Sequence, residues 1–146
     1  NQVMDSAKTH YPNAKIDGVV IQEMISQDSV EVILGIVKDA DFGPVVVYGT
    51  GGILVELIKD SALSLPPLTR EEAERMIKST RGYKLLQGFR GKPKADVNAL
   101  IDALVGLSQL ACDLGDNIAA LDINPLMVLP EGKGVRAVDA LLELTN

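Results

Sequence analysis

Asp122-Ile123-Asn124-Pro125-Leu126, the turn-rich Leu129-Pro130-Glu131-Gly132-Lys133-Gly134 and then Val138-Asp139-Ala140 form the stretch whose residue types and spacing best suit chemistry. With Glu131 and Gly132 at the centre of a β-hairpin turn, Asn124 falls opposite Asp139, and Asp122 points the same way from two residues along the strand. Directly opposed side chains stand about 4.5 to 5.5 Å apart at Cβ, close enough to share one small hard cation. That surface reads as built for a metal and a phosphate. In this register Ile118, Ala120, Leu126 and Val128 share the face of Asp122 and Asn124, while Leu121, Ile123 and Met127 take the other, and a carboxylate in so apolar a strand needs a partner. The competing reading is a hairpin whose polar face meets only water, since one residue of slip in the turn flips every side chain.

The elements that must carry this hairpin follow from pattern. Residues 2 to 11 suit a short helix stopped by Pro12. Gly18 to Met24 and Val30 to Val37, separated by Ser26-Gln27-Asp28-Ser29, read as an antiparallel hairpin, and Pro44 to Tyr48 reads as a third strand ending in glycines. Helical pattern resumes over Ile53 to Ile58, and Ser61 to Leu65 suits a short strand before the Pro66-Pro67 break. Thr69 with Glu72 forms a capping box opening a helix to about Ser79. The longest helix is expected from an Asp96 N-cap to Leu114, burying Val97, Leu100, Ile101, Leu104, Leu107, Ala111 and Leu114 before Gly115 ends it. Neighbouring strands interrupted by helices predict one α+β unit over residues 1–146, a mostly antiparallel sheet flanked by helices in two layers.

Composition narrows the function. Hydrophobic residues at 47% allow one good core, and 14 basic against 20 acidic residues give a net charge of -6 that argues against a nucleic-acid surface. Three Tyr, two Phe and no Trp leave few platforms on which bases could stack. The single Cys112, inside a helical apolar pattern, is expected as a small core residue in a reducing compartment. No run approaches eighteen uninterrupted apolar residues and the polar start lacks a signal-peptide pattern, so the expectation is a cytoplasmic protein without a membrane partner. The start lacks an initiator methionine and reads as a cut end.

Other constellations are weaker. A first hairpin centred on Gln27 sets Glu23 against Glu31, where like charges repel unless something uses them. A nucleotide is one such user, because a strand edge at Glu23 and Met24 can offer backbone groups to a purine while a carboxylate takes the ribose hydroxyls. Two glutamates splayed into solvent is the alternative. Tyr48-Gly49-Thr50-Gly51-Gly52 runs from strand to helix, a place where backbone N–H groups can approach a phosphate, though it matches neither Walker A nor G-x-G-x-x-G. Leu86-Gln87-Gly88-Phe89-Arg90-Gly91-Lys92 is a second glycine-punctuated loop in which Arg90 suits a carboxylate or phosphate and Lys92 reads as solvated. His10, beside Tyr11 and Pro12, has no acidic orienter nearby in sequence and reads as surface.

Taken in order, Val20-Ile21-Gln22-Glu23-Met24, Glu31, Phe42-Gly43-Pro44-Val45-Val46, Gly49-Thr50-Gly51-Gly52, Gly88-Phe89-Arg90-Gly91, the DINPL run and Val138-Asp139-Ala140 resemble the ATP-grasp region of ADP-forming acyl-CoA synthetases, relatives of succinyl-CoA synthetase. The resemblance covers nearly the whole chain and implies the C-terminal lobe of an ATP-grasp fold. It implies an acid-thiol ligase that interconverts acyl-CoA, ADP and phosphate with acid, CoA and ATP through a phosphohistidine. On this resemblance Asn124 and Asp139 bind Mg²⁺, Glu23 and Met24 lie at the adenine hinge, and Glu31 lies at the ribose of ATP or ADP. Asp122 corresponds to the acidic residue that steadies the histidine ring, with Gly51, Gly52 and Arg90 near the phosphate. The chain departs from the EINPL of succinyl-CoA synthetases by carrying Asp122 in the first position.

The same resemblance makes the chain half a site. The N-terminal ATP-grasp lobe with its phosphate-holding lysines, the phosphohistidine loop and the CoA-binding domain are not recognisable in it, and are expected as partners supplied elsewhere, together with a CoA thioester substrate. The acid is expected to be small, acetate among the options. Two other classes remain: a nucleotide-sensing ATP-grasp-like domain of a protein acetyltransferase, without phosphoryl transfer, and an interaction module with no nucleotide dependence. Retention of Asp122, Asn124 and Asp139 together favours the enzyme.

Overall fold

The computed structural model describes residues 2–51, 60–89 and 91–145. Along the chain run α1 (Gln2–His10), β1 (Val30–Asp39), β2 (Gly43–Thr50), β3 (Ser61–Ser64), α2 (Arg70–Ser79), α3 (Tyr83–Leu86), α4 (Val97–Leu114), β4 (Ile118–Val128), β5 (Val135–Ala137) and β6 (Ala140–Leu144). The strands form one sheet in the order β3-β2-β1-β4-β5, with β6 also on β4, and every pairing is antiparallel. This is the expected α+β arrangement.

Helices α2, α3 and α4 cover one face of the sheet. Val32, Leu34 and Ile36 of β1, Val46 and Tyr48 of β2 and Leu126 and Val128 of β4 pack with Leu100, Leu104 and Leu107 of α4 and Ala73 and Ile77 of α2 in a single core. Alternation along the strands sends Glu31, Asp122 and Asn124 to the opposite face, where they are exposed. The Thr69–Glu72 capping box forms as expected, each side chain satisfying the other's backbone N–H. Asp96 caps α4, whose buried stripe is Leu100, Ile101, Leu104, Leu107, Ser108 and Ala111. Val97 is only half-buried and Leu114 is exposed. The buried Ser108 keeps its hydroxyl satisfied, donating to Val105 C=O at 2.8 Å and accepting from Leu68 N–H at 3.0 Å. The span Val97–Asn117 has the length and composition of a membrane helix, yet its apolar stripe is spent on the sheet.

Three expectations are corrected. Residues 18–24 form no strand, and Ile21 and Met24 are more than nine-tenths exposed. Both edges of β1 are already taken, one by β2 and the other by β4, so Glu31 pairs with Met127 and the Glu23–Glu31 pair does not exist. Cys112 is exposed rather than core, because it follows the inward-facing Ala111 and one helical step of about 100° turns it to solvent. Third, β4 carries one more residue than β1 between two pairs, Val32 with Leu126 and Leu34 with Ile123. This bulge at Asn124-Pro125 resets the alternation, so Leu126 and Val128 face the helices and do not share the face of Asp122 and Asn124. The helix expected over Ile53 to Ile58 lies outside the described residues.

One carboxylate ties the glycine-rich end of β2 to the helical layer. Asp60 accepts from the Thr50 hydroxyl at 2.6 Å and from the backbone N–H groups of Arg81 and Gly82 at 2.8 and 2.7 Å. Burial works against its charge, but the Thr50 hydroxyl, the two amides and the Arg81 charge outweigh it and hold the carboxyl below the ordinary 3.8. A depressed folded value means the stabilisation is fully present above the unfolded pKa and is lost as pH falls through the folded one. We therefore expect thermal melts followed by circular dichroism to show the wild type losing stability below about pH 4. Asp60→Asn should start less stable at neutral pH and fall more shallowly over the same window.

Candidate functional site

The C-terminal hairpin carries the register read from its turn. Leu126 pairs with Ala137 and Val128 with Val135, and beyond them Ile123 pairs with Ala140 and Asp122 with Leu141. The turn closes with Lys133 N–H on Pro130 C=O at 2.9 Å, and its third residue, Gly132, has φ +77°, a value that side-chain-bearing residues rarely adopt. Between the two ladders Asn124 N–H donates to Asp139 C=O at 3.2 Å, and Val138 N–H donates to Pro125 C=O at 3.1 Å. Asn124 is thus opposite Asp139, with Asp122 two residues along on the same open face.

All three are exposed, and the Asp139 carboxylate accepts a local bond from Ala140 N–H at 2.9 Å. None of them takes part in an ion pair among the described residues. The β1 residue paired with Asp122 is Gly35, which has no side chain to set against the carboxylate. Two carboxylates and an amide oxygen are hard donors that suit Mg²⁺, which takes one or two carboxylates and completes its octahedron with waters and phosphate oxygens. Among the described residues no group of three or more His, Cys, Asp and Glu gathers as a metal cage.

The nucleotide candidates fall into two places. Glu23 and Met24 line a cavity of about 370 Å³ whose far wall is Leu129, Pro130, Lys133 and Arg136 from the C-terminal hairpin. Glu31 instead lines a neighbouring cavity of about 450 Å³ with Gly51, Phe89 and Lys92. Gly51 does come to the site, but its N–H is given to Glu31 C=O at 2.8 Å and is not available to a phosphate. Its glycine is required by packing, since a Cβ there would sit 2.5 Å from the Glu31 carbonyl carbon. Gly52 and Arg90 lie outside the described residues. Lys92 is exposed as expected, yet its ammonium donates to Gln27 C=O at 3.0 Å and ties the second glycine loop to the segment before β1. His10 is on the surface, its Nδ1 against Ser6 C=O.

Sequence reasoning did not single out Lys133 or Arg136 as wall residues, and it saw Asp96 only as a helix cap. A cation beside the turn glycines was the available signal for Lys133; the others depend on contacts between distant segments.

With this geometry described, known proteins give it a context. The ATP-grasp domain family matches residues 1–144. The beta subunit of Pyrococcus furiosus acetate–CoA ligase [ADP-forming] II is 38% identical over 143 residues, covering 98% of this chain and 60% of that subunit. The 4-hydroxybutyrate–CoA ligase [ADP-forming] of Nitrosopumilus maritimus is 41% identical over 142 residues, covering 97% of this chain and 20% of that enzyme. Among solved structures, the apo form of the dinucleotide forming acetyl-coenzyme A synthetase 1 of Ca. Korarchaeum cryptofilum superposes with a TM-score of 0.83 at 37% identity, over 98% of this chain and 66% of that one. The same enzyme in complex with coenzyme A and Mg-AMPPCP, its phosphohistidine segment pointing towards the nucleotide site, gives 0.74 at 40% identity, over 80% and 53%. The chain therefore spans 60% of the beta subunit and far less of the larger ligase. A family match over nearly its full length, on an antiparallel sheet whose open face carries Asp122, Asn124 and Asp139, makes this chain a member of the ATP-grasp family.

Proposed function

We propose that this chain is the magnesium- and nucleotide-holding lobe of an ADP-forming acyl-CoA synthetase, an acid-thiol ligase of the cytoplasm. In that enzyme a phosphoryl group passes between ATP or ADP and a histidine of a partner domain or subunit, coupling acyl-CoA, ADP and phosphate to acid, CoA and ATP. The observation that carries the reading is the hairpin register that sets Asn124 opposite Asp139, with Asp122 beside them on the face away from the helices. The similarity to ligases of acetate and 4-hydroxybutyrate supports a small carboxylic acid as substrate. An N-terminal ATP-grasp lobe and a CoA-binding, phosphohistidine-bearing unit complete the site in this reading.

Asn124 and Asp139 would hold Mg²⁺, which when bound neutralises charge on the phosphoryl oxygens. Asp122, open to solvent, accepts an N–H from the incoming imidazole and fixes which ring nitrogen faces the phosphoryl group. Glu31 receives ribose hydroxyls, and the backbone at Glu23 and Met24 meets the base. Gly51 acts through its lack of a side chain, which lets its backbone close on Glu31 and give its N–H to Glu31 C=O. The chemistry asked of the chain is positioning and charge compensation, the terms that dominate phosphoryl transfer.

The test is a calorimetric titration with ADP, with and without Mg²⁺, on the wild type and on Asp139→Ala. We expect binding that requires magnesium and weakens at least about tenfold, ~1.4 kcal/mol, in the variant. ADP binding that ignores both magnesium and Asp139 would overturn the assignment of the pair.

A further inference from the structure

Asp96 does more than cap a helix. Its side chain is buried, at 8% exposure, and each carboxylate oxygen serves a different element. Oδ1 accepts from Ala99 N–H at 3.1 Å in the first turn of α4, while Oδ2 accepts from Gly134 N–H at 2.9 Å in the C-terminal hairpin. The Asp96 backbone N–H donates to Leu129 C=O at 2.8 Å. Leu129 and Gly134 are the two ends of the hairpin turn and are bonded to each other at 3.0 Å. Glu131 N–H adds a tie to Lys94 C=O at 2.9 Å, so the segment before α4 grips the turn at three points.

The gripped turn is also the wall of a cavity. Leu129, Pro130 and Lys133 project from it onto the space that Glu23 and Met24 close from the other side. We propose that Asp96 is a positioning residue for nucleotide binding: by holding Gly134 against the start of α4 it sets the wall on which the purine base rests, without touching the ligand. This rests on the reading of the Glu23–Met24 cavity as the base site. Two backbone bonds, Asp96 N–H to Leu129 C=O and Glu131 N–H to Lys94 C=O, hold the start of the turn, and Oδ2 is the side-chain tie at its end, where Gly132 and Gly134 both have positive φ, +77° and +80°, and glycines confine a backbone least. With Oδ2 gone, Gly134 N–H is left unpaired in a partly buried place, and the turn relaxes to find another partner.

Two substitutions separate this role from helix capping. Serine is as good an N-cap as aspartate, so Asp96→Ser keeps the bond to Ala99, but its single short oxygen cannot also reach Gly134. Asp96→Ala loses both bonds. By calorimetry with ADP and by thermal melts, we expect Asp96→Ser, which keeps the cap, to melt between the wild type and Asp96→Ala, which loses both bonds. ADP affinity should fall about five- to tenfold in both, ~1 to 1.4 kcal/mol. The magnesium concentration giving half-maximal ADP binding should not move, because Asn124 and Asp139 lie at the other end of the hairpin. Wild-type ADP affinity in Asp96→Ser would overturn this inference alone, as would losses of affinity and magnesium response that simply track melting temperature. A wild-type chain that binds no ADP would overturn the functional reading and this one with it.

Discussion

Asp122→Asn should lower turnover of the assembled synthetase at least about a hundredfold, close to 2.7 kcal/mol of barrier, while the KM for ADP stays within about twofold. The asparagine has the volume of the aspartate and occupies an exposed strand position, so the fold has no reason to change. Under the proposed function, what changes is the edge shown to the partner's imidazole: a carboxylate that only accepts becomes an amide able to present its donor side. The flank at Gly35 offers no replacement, having no side chain, and the residue across the other ladder is Leu141. Acyl-CoA-dependent formation of ATP, measured across ADP concentrations, separates the two parameters. A turnover within twofold of wild type would remove Asp122 from the reaction. A raised KM with unchanged kcat would make it a nucleotide ligand instead.

The largest loss of stability is expected from Leu104→Ala. Leu104 is fully buried at the middle of α4, the helix that joins α2 to the sheet, with Leu100 and Leu107 on either side. Deleting such a side chain removes its transfer energy and leaves a cavity that rigid neighbours cannot fill, for a cost of about 2 to 5 kcal/mol. Against a total of about 5 to 15 kcal/mol for a domain, that is roughly an eighth of the margin at the least and all of it at the most. Urea titration followed by circular dichroism should show a lower midpoint at unchanged slope. A midpoint shift smaller than that of Leu110→Ala, on the half-buried flank of the same helix, would contradict this placement of the core.

How much of this could be read from residues alone depended on distance along the chain. The hairpin from β4 to β5 and β6 was legible because its turn is short and Gly132 marks the centre; one local fact propagates to Asn124 and Asp139 by pairing. α4 and α2 were legible for the same reason, with Asp96, Thr69 and Glu72 announcing their starts. The supposed hairpin of residues 18–24 failed because an apolar run looks alike whether it pairs or lies open, and only the distant partners of β1 decide. The bulge at Asn124-Pro125 was invisible because it is a mismatch between β4 and β1, which no local pattern records. The second bond of Asp96 was hidden for a related reason: its carboxylate looked accounted for by its use as a helix cap.

The order of strands bears on how the molecule comes into being. β1 and β2 are neighbours in sequence and can meet early, but β1 must wait for β4, with Val32 joining Leu126 across most of the chain. Closing so long a loop is entropically slow, and sheets dominated by distant pairings fold in milliseconds to seconds. Until then the free edge of β1 presents Leu34 and Ile36 with unpaired backbone groups, the kind of edge on which chains aggregate. The strand that closes this edge is the one that carries Asp122 and Asn124. Arrival of the strand that carries the proposed ligands and protection of the nascent sheet are therefore one event, and a half-folded chain has neither.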